Sequence, residues 1–335
     1  MNIGRRRLAV PRPPRRAARA LTALTAAGAL LALGACSATG GGDGRDGDGR
    51  LKVTASFYPL EFLARQIGGD HVAVTDLTSP GTEPHDLELS PRQTAALGES
   101  GAVLYLHGLQ PAVDEAVRQS GVAHVADAAA FSHLEQHGSE VDGSHHTTGD
   151  NGTGDADEDG AGADPHIWLD PVRFAQVAKG VGRTLAAADP GHRATYEKNT
   201  DTLVNRLDAL DRRYREGLEH RTSDTFITTH AAFGYLAERY GLTEEAVSGV
   251  DPESGDVSGA RIRELQELAH RHHVHTVFFE TLASPTTAKT LARDVGAGTD
   301  VLDPLEGITK ASRGRDYFQV MDANLTALRK ALGAS

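Results

Sequence analysis

Three histidines stand out because of the residues around them. His85 lies in SPGTEPHDLELSP, between a Pro-Gly turn and a second proline, and His166 lies in DPHIWLDP, again directly after a proline. His230 ends the apolar stretch TFITTH. A single loop histidine is usually a solvated side chain, but three imidazoles in one place would bind a transition-metal ion. Whether they form one site depends on the fold that carries them.

The pattern of apolar residues predicts alternating strands and helices. In the first half, the strand LKVTAS precedes an amphipathic helix, and the strands VAVTD and AVLYLHG each precede a helical segment. The alternation resumes after residue 221, from TFITTH to the closing helix YFQVMDANLTALRKAL. Such alternation is typical of α/β domains with parallel sheets. A helix from about Pro190 to His220, about 40 Å long at 1.5 Å per residue, separates the two halves.

The predicted strands explain how distant residues could form one site. Ligands of open α/β sheets bind beyond the carboxyl ends of the strands. His85, His166 and His230 each follow or end a predicted strand. Asp303 has the same position in the short strand TDVLDP. Three imidazoles and one carboxylate form a nitrogen-rich, four-coordinate set that suits Zn²⁺, with two ligands from each half of the chain.

The first 36 residues have the features of an export signal. A run of arginines is followed by the apolar stretch ALTALTAAGALLALGAC, which is too short for a comfortable membrane span of about 20 residues. Cys36 is the only cysteine, so no internal disulfide forms, and it ends the motif LGAC, which resembles a bacterial lipobox. We therefore expect residues 1–36 to be a lipoprotein signal with a lipidated Cys36. The Gly- and Asp-rich residues 37–50 are then a flexible tether.

The net charge narrows the choice of partners. The full chain has a formal net charge of −12, and removal of residues 1–35 takes away seven arginines and no acidic residue, which gives −19. Binding to nucleic acid depends on Lys and Arg contacts to phosphates, so we expect no nucleic-acid partner. A negative charge suits a cation as ligand, although acidity mainly promotes solubility.

Two further stretches are rich in histidine. Residues 132–164 contain almost no apolar side chain, so we predict a mobile His- and acid-rich insert there. Its histidines are His133, His137, His145 and His146. The other stretch closes a predicted helix, where the helix dipole favours positive charge. We interpret it mainly as a solvated helix end; its histidines are His270, His272, His273 and His275.

Several motifs in one order carry a family resemblance. GTEPHDLELSP, DPHIWLDP, TTHAAFGYLAERYGL, VFFE and LDPLEG follow one another, and YFQVMDANLTALRKAL closes the chain. Over about residues 51–335 the sequence resembles the metal-binding solute-binding proteins of ABC importers for zinc and manganese. The resemblance implies two α/β lobes with parallel sheets, bridged by one long rigid helix, with the metal site in the cleft between the lobes.

The resemblance also assigns roles to residues. It maps the metal ligands onto His85, His166, His230 and Asp303. It favours zinc as the cargo, because manganese members often have a carboxylate where this chain has His230. Glu280, in VFFE, takes a supporting position beside the site. The insert resembles the loop that zinc members carry beside the site, and we expect its four histidines to capture metal loosely.

The expected protein is therefore an extracytoplasmic, high-affinity zinc receptor that is not an enzyme. It would deliver Zn²⁺ to an ABC permease and its ATPase as a monomer, anchored by lipid to the outer face of the cytoplasmic membrane. The expected organisation is an N-terminal lobe, a linking helix and a C-terminal lobe, at residues 51–189, 190–220 and 221–335.

Other functions stay open at this point. Manganese or ferrous iron could replace zinc as the cargo of the same type of receptor. A secreted zinc hydrolase is a different class, since three histidines also hold catalytic zinc. Against it, the sequence has no H-E-x-x-H motif, and HLEQH in the insert has the wrong order. A metal chaperone or a surface adhesin also remains possible.

Overall fold

Two parallel β-sheets form the framework of the protein. The computed structural model describes residues 44–137, 163–252 and 257–334. The first sheet has the strand order β2-β1-β3-β4, with β1 at Leu51–Ala55, β2 at Val72–Asp76, β3 at Ala102–Tyr105 and β4 at Val125–Asp127. The second has the order β6-β5-β7-β8, with β5 at Thr225–His230, β6 at Thr243–Ser248, β7 at Thr276–Phe279 and β8 at Gly298–Val301. All strand pairs within these sheets are parallel.

Helices connect the strands and cover both sheets. The helices of the N-terminal lobe are α1 (Tyr58–Gly68), α2 (Pro91–Gly98), α3 (Pro111–Ser120) and α4 (Pro171–Ala188). The linking helix α5 is Arg193–Leu218, and a 3-10 turn at Pro190–His192 precedes it. The C-terminal lobe contains α6 (Gly234–Tyr240), α7 (Gly259–Arg271), α8 (Thr286–Val295) and α9 (Tyr317–Ala331).

Several helices begin where the sequence provides a cap. Ser90 accepts a hydrogen bond from the backbone N–H of Gln93, whose side chain bonds back to Ser90, and Pro91 occupies the first position of α2. Asp170 caps α4 in the same way through the N–H of Val172. Such caps satisfy amide groups that have no partner inside the helix, which fixes the starting residue of each helix.

The linking helix packs on both lobes. The side-chain amide of Asn199 donates to the carbonyl of Ile67 at the end of α1, with a distance of 2.9 Å. Further along α5, the hydroxyl of Tyr214 donates to the carbonyl of Met321 in α9, at 2.7 Å. The 26 residues of α5 correspond to about 39 Å at 1.5 Å per residue. The helix is therefore long enough to contact α1 in the N-terminal lobe and α9 in the C-terminal lobe.

One apolar core runs through both lobes. The ring of Phe62 in α1 stacks on that of Tyr317 in α9, with a centroid distance of 5.4 Å. Trp168 lies edge-on to Phe57 at 4.9 Å. Its indole N–H donates to the carbonyl of Pro304 in the C-terminal lobe, at 2.7 Å. These rings belong to a single cluster of buried side chains, so the two lobes share their main core.

The predicted architecture is confirmed: two α/β lobes with parallel sheets and one long helix. Sequence patterns did not predict β4 and β6, which are both edge strands; the first has only three residues, and the second carries two adjacent glutamates. The strand predicted in TDVLDP ends at Val301 and does not reach Asp303. Within the described ranges, no helix combines the length and apolar character that a membrane crossing requires.

Candidate metal site between the two lobes

Three of the predicted ligands meet at one carboxylate. The Nε2 atoms of His85, His166 and His230 lie 3.5, 3.0 and 3.4 Å from Oε1 of Glu306. The imidazole centroids of His85 and His230 are 5.5 and 5.4 Å from that of His166. Two of these histidines come from the N-terminal lobe, and His230 and Glu306 come from the C-terminal lobe. We call these four residues the interlobe cluster.

His166 is fully buried and is oriented by a carboxylate from its own loop. Oδ1 of Asp164 accepts hydrogen bonds from the backbone N–H of His166 at 2.9 Å and from its Nδ1 at 2.8 Å. The 3-10 turn at Ile167–Leu169 follows directly and leads into α4. Because Nδ1 is engaged in this way, Nε2 faces Glu306. A carboxylate on the far nitrogen is typical of metal-binding histidines, since it fixes the ring and raises its basicity.

His85 is positioned by the loop between β2 and α2. The side-chain amide of Gln110, which is buried, donates to the carbonyl of Pro84 at 3.1 Å and to the hydroxyl of Thr78 at 3.1 Å. The backbone N–H of His85 donates to Oε1 of Glu83 at 3.3 Å. Its side chain remains 7% exposed, more than those of the other two histidines. The loop is thus tied at its base, and His85 lies at its inner surface.

His230 ends β5 as predicted, and Glu280 supports it. Oε1 of Glu280, directly after β7, accepts hydrogen bonds from Nδ1 of His230 and from the hydroxyl of Thr229, both at 2.8 Å. Nε2 of His230 therefore points to Glu306. Glu280 has the contact that the predicted supporting role requires, and it repeats the arrangement of Asp164 with His166.

Asp303 does not lie in the interlobe cluster. Its Oδ1 accepts from the backbone N–H of Leu305 at 2.9 Å, and its Oδ2 accepts from the hydroxyl of Thr281 at 3.1 Å. Leu305 has a φ of 60°, in the left-handed region that non-glycine residues seldom occupy. The turn held by Asp303 places Glu306, three residues later, against the three imidazoles. Asp303 thus positions the chain, and Glu306 supplies the carboxylate.

Sequence reasoning missed Glu306 and also Glu83. Glu306 stands in the motif LDPLEG, but the sequence pattern and the resemblance predict Asp303, the first carboxylate after the strand, as the ligand. Glu83 stands two residues before His85. Burial, and then the charge of Glu306, raise the pKa of Glu83 to about 8. Mainly because of its burial, this glutamate is therefore protonated at neutral pH.

Charge pairing dominates the electrostatics of the cluster. Burial lowers the pKa of His166, but the contacts with Asp164 and Glu306 outweigh it and raise the pKa to about 9. Burial also opposes the charge of His230, while Glu280 and Glu306 raise its pKa well above the usual value. Burial favours protonation of Glu306, yet the surrounding imidazoles hold its pKa well below the usual value. Without a metal ion, protons on His166 and His230 balance the buried carboxylates.

The donor atoms fit a divalent cation. Nε2 of His85 and Nε2 of His230 are buried and have no hydrogen-bond partner in the described part of the chain, and the same holds for Oε2 of Glu306. Buried polar atoms are nearly always paired, so three such atoms at one point fit a metal ion that would replace the imidazole protons and bind them together. Three imidazole nitrogens and one carboxylate oxygen match the ligands that Zn²⁺ prefers.

The remaining predicted residues lie elsewhere. His133 is exposed, and its carbonyl accepts from Arg173. His137 lies beside Asp164 and Glu238. The four histidines at the end of α7 are all exposed: His270, His272, His273 and His275. Cys36, His145 and His146 lie outside the described residues.

The chain is similar to known zinc-uptake and zinc-binding proteins. The family described as zinc-uptake complex component A, periplasmic (ZnuA), matches residues 53–331. The zinc-binding lipoprotein AdcA of Streptococcus pneumoniae is 34% identical over 294 residues, which are 85% of this chain and 56% of that protein. The high-affinity zinc uptake system protein ZnuA of Bacillus subtilis is 33% identical over 287 residues, 84% of this chain and 88% of that protein.

The fold is also similar to a solved structure of one of these relatives. The crystal structure of Zn(II)-bound AdcA from Streptococcus pneumoniae has a TM-score of 0.69 and 32% identity, and the match covers 85% of this chain and 58% of that one. This chain thus spans little more than half the length of AdcA. Fold and site together define a metal-binding solute-binding protein of the kind that serves ABC importers. The chain belongs to the ZnuA family.

Proposed function

We propose that this protein is an extracytoplasmic zinc receptor that delivers Zn²⁺ to an ABC permease, and that it has no catalytic activity. The observation that carries the proposal is the convergence of three Nε2 atoms on one carboxylate oxygen, at 3.0–3.5 Å, in a buried position. The names of the AdcA and ZnuA relatives support zinc as the cargo.

The proposed ligands are His85, His166, His230 and Glu306. Asp303 takes a positioning role in this proposal, because both of its oxygens are already engaged by Leu305 and Thr281. Four protein ligands leave no open position for a substrate and a catalytic water, which disfavours a zinc hydrolase. Three nitrogen donors favour Zn²⁺ over Mn²⁺, which prefers oxygen ligands.

The partners and location follow from the same proposal. We expect the permease and its ATPase to receive the ion, and a lipid on Cys36 to hold the receptor, as a monomer, at the outer face of the cytoplasmic membrane. The lipoprotein name of the pneumococcal relative supports the anchor. The proposed boundaries are residues 51–189, 190–220 and 221–335 for the first lobe, the linking helix and the second lobe. The histidines of the insert would gather zinc near the site.

Metal analysis with a competition titration tests the proposal. The purified protein should carry zinc and should prefer Zn²⁺ to Mn²⁺, because Mn²⁺ binds most weakly to such donors in the divalent series. His220 is an exposed histidine near the end of α5, outside the cluster. His220→Ala should bind both metal ions as the wild type does, which controls for binding to surface histidines. A protein that binds Mn²⁺ or Fe²⁺ more tightly than Zn²⁺ would contradict zinc as the cargo.

A further inference from the structure

The segment that leads into α4 is attached by hydrogen bonds to the C-terminal lobe. We call residues 164–170 the bridging segment. At its first residue, the carbonyl of Asp164 accepts from the hydroxyl of Tyr235 in α6 at 2.7 Å. At its last residue, Oδ2 of Asp170 pairs with the guanidinium of Arg239, also in α6, at 2.8 Å. The chain order places this segment before a helix of the N-terminal lobe, but a helix of the other lobe holds both of its ends.

The middle of the bridging segment is bound to the same lobe. The indole N–H of Trp168 donates to the carbonyl of Pro304 at 2.7 Å. The backbone carbonyl of Trp168 accepts from the hydroxyl of Tyr317 in α9, also at 2.7 Å. Pro304 belongs to the turn that brings Glu306 to the interlobe cluster. Hydrogen bonds within the C-terminal side of the cleft therefore fix His166 relative to Glu306.

The three imidazoles of the cluster differ in what holds them. Nδ1 of His166 and Nδ1 of His230 are each bonded to a carboxylate at 2.8 Å, from Asp164 and Glu280 respectively. Among the described residues, no carboxylate holds Nδ1 of His85. The hydrogen bonds at the base of its loop come from the N-terminal lobe. His85 is thus the least constrained of the three and the one that does not share the framework of the others.

We propose that His166, His230 and Glu306 form a half-site that binds Zn²⁺ without His85, with water in the fourth position. The choice of Zn²⁺ rests on the proposed function. Three protein ligands and one open position are a common coordination of zinc, and bonds of about 2.0–2.1 Å place tetrahedral ligands about 3.3–3.4 Å apart. The two Nε2 atoms lie 3.0 and 3.4 Å from Oε1 of Glu306, close to that separation.

In this proposal His85 replaces the water and completes the tight site. The fourth position should therefore accept a free imidazole when the side chain of His85 is removed. The loop of His85 has an exposed outer surface, and the side chain itself is 7% exposed, so a small molecule can reach this position. His166, in contrast, is completely buried and hydrogen-bonded on both ring nitrogens. The two positions should thus respond differently to added imidazole.

Zinc titration of the wild type, His85→Gly and His166→Gly tests the half-site. His85→Gly should still bind one equivalent, more than about 100-fold more weakly than the wild type, because supporting partners alone contribute about 10- to 100-fold. His166→Gly should bind at least about tenfold more weakly again, since it loses a ligand of the half-site together with its supporting carboxylate. Circular dichroism checks the fold of each variant. The exposed His220→Gly is the control and should bind as the wild type does.

Added imidazole separates the two glycine variants. It should strengthen zinc binding to His85→Gly by at least about tenfold, a small part of what a direct ligand contributes, and should leave His166→Gly unchanged. With Co²⁺ as a spectroscopic probe, the visible absorption of His85→Gly should change when imidazole is added, because the spectrum depends on the ligand set. The wild type and His220→Gly at the same imidazole concentration correct for imidazole bound to free metal.

Tyr317→Phe tests whether the bridging segment acts through the half-site. Tyr317 is a positioning residue in this proposal, and loss of its hydroxyl should weaken zinc binding by about two- to tenfold, the range for one hydrogen bond. The factor should be the same in the wild type and in His85→Gly, because the hydroxyl supports His166. The matched control is Tyr214→Phe, whose hydroxyl donates to the carbonyl of Met321 away from the site; it should leave zinc binding unchanged.

The outcomes distinguish the half-site from the proposed function. A wild type that binds zinc tightly and a folded His85→Gly variant that binds none would overturn the half-site and leave the proposed function intact. Imidazole that strengthens His166→Gly as much as His85→Gly, or a Tyr317→Phe effect that vanishes in His85→Gly, would also overturn it. A wild type that prefers Mn²⁺ to Zn²⁺ would contradict the proposed function, whereas retained binding of that metal by His85→Gly would still support the half-site.

Discussion

The interlobe cluster and a neighbouring group of side chains, Glu135, His137 and Glu238, are similar in composition but lie in different surroundings. We call this neighbouring group the side cluster. In each, a histidine turns Nε2 toward carboxylates because Asp164 holds its Nδ1. The interlobe cluster is buried, whereas the side cluster is partly exposed and its Glu135 pairs with the guanidinium of Arg173. We therefore expect exclusion of water and of competing cations, and not ligand type alone, to decide how tightly each group could hold an ion.

Removal of a ligand from the interlobe cluster should have the largest effect. Alanine at His85, His166 or His230, or glutamine at Glu306, should weaken tight zinc binding by more than about 100-fold, because even supporting partners contribute about 10- to 100-fold. Chelator-competition titrations measure the affinity, and circular dichroism checks the fold. His220→Ala is the control. Near-normal zinc affinity in any one variant would remove that residue from the site.

The pH dependence should be the next largest effect. The raised pKa of His166, about 9, means that zinc displaces at least one proton from the metal-free cluster at neutral pH. Affinity should rise by at least about tenfold per pH unit, or at least about 100-fold between pH 6 and pH 8. Calorimetry in buffers of different ionisation enthalpy measures the released protons. Binding that stays flat over this range would contradict imidazole ligation.

The same pKa predicts the stability of the metal-free protein. His166 binds its proton more tightly when folded than when unfolded, so its contribution is complete below pH 6.5 and disappears as the pH rises through about 9. A rise of this size corresponds to about 3 kcal/mol in the free energy of unfolding. Urea unfolding at pH 6 and pH 9 gives the change in the free energy of unfolding between these pH values. The same change in the metal-free wild type and in His166→Gln would refute the prediction.

Asp164 should support zinc binding through His166, whose Nδ1 it holds. Asp164→Asn removes one of the two acceptor oxygens, so zinc binding at the interlobe cluster should weaken by about 10- to 100-fold. A chelator-competition titration measures this, with the exposed Asp208→Asn as control. Unchanged zinc affinity in a folded Asp164→Asn variant would contradict this supporting role.

A smaller effect is expected for Asp303→Asn. The amide oxygen of the new side chain still accepts from the N–H of Leu305, so the turn persists and Glu306 stays in place. Zinc affinity should fall by less than about tenfold, below the range for supporting partners. Comparison with Glu306→Gln in the same titration decides the role of each carboxylate. An equal loss of zinc affinity in the two variants would mean that Asp303 is itself a metal ligand.

The insert should matter least for tight binding. Replacement of residues 138–162 by a short Gly-Ser linker keeps Glu135, His137 and Asp164, and should change the tight affinity by less than about twofold, since tethered groups raise local concentration without adding a contact. The rate at which the protein binds zinc at low zinc concentration, measured by stopped flow, should fall by a larger factor than the affinity. Loss of the tight zinc in a folded deletion variant would reverse the proposed roles.

The sequence predicted most of the interlobe cluster and little of the side cluster. His230 was predicted from a strand that periodicity reveals, and it ends β5. His85 and His166 do not end a strand of the structure, and they were predicted from the motifs EPHDLELSP and DPHIWLDP and from the family resemblance. The choice between Asp303 and Glu306 was not predictable, because it depends on the left-handed φ of Leu305, which a leucine does not suggest. The contact between the start of the insert and α6 was not predictable, because the polar insert gives no reason to expect contact with a helix about 100 residues away in the chain.

The shared core limits how the bound ion can leave. Phe57, Trp168 and Tyr317 are fully buried where the lobes meet, and each large apolar side chain of this kind contributes about 1.5–3 kcal/mol when buried. Separation of the lobes as rigid bodies would expose these rings to water, and large apolar interfaces disfavour such motion. The loop between β2 and α2 has an exposed outer surface and carries His85, the least buried imidazole of the cluster. We therefore expect the exit path to open by displacement of that one loop, while the two sheets keep their relative orientation.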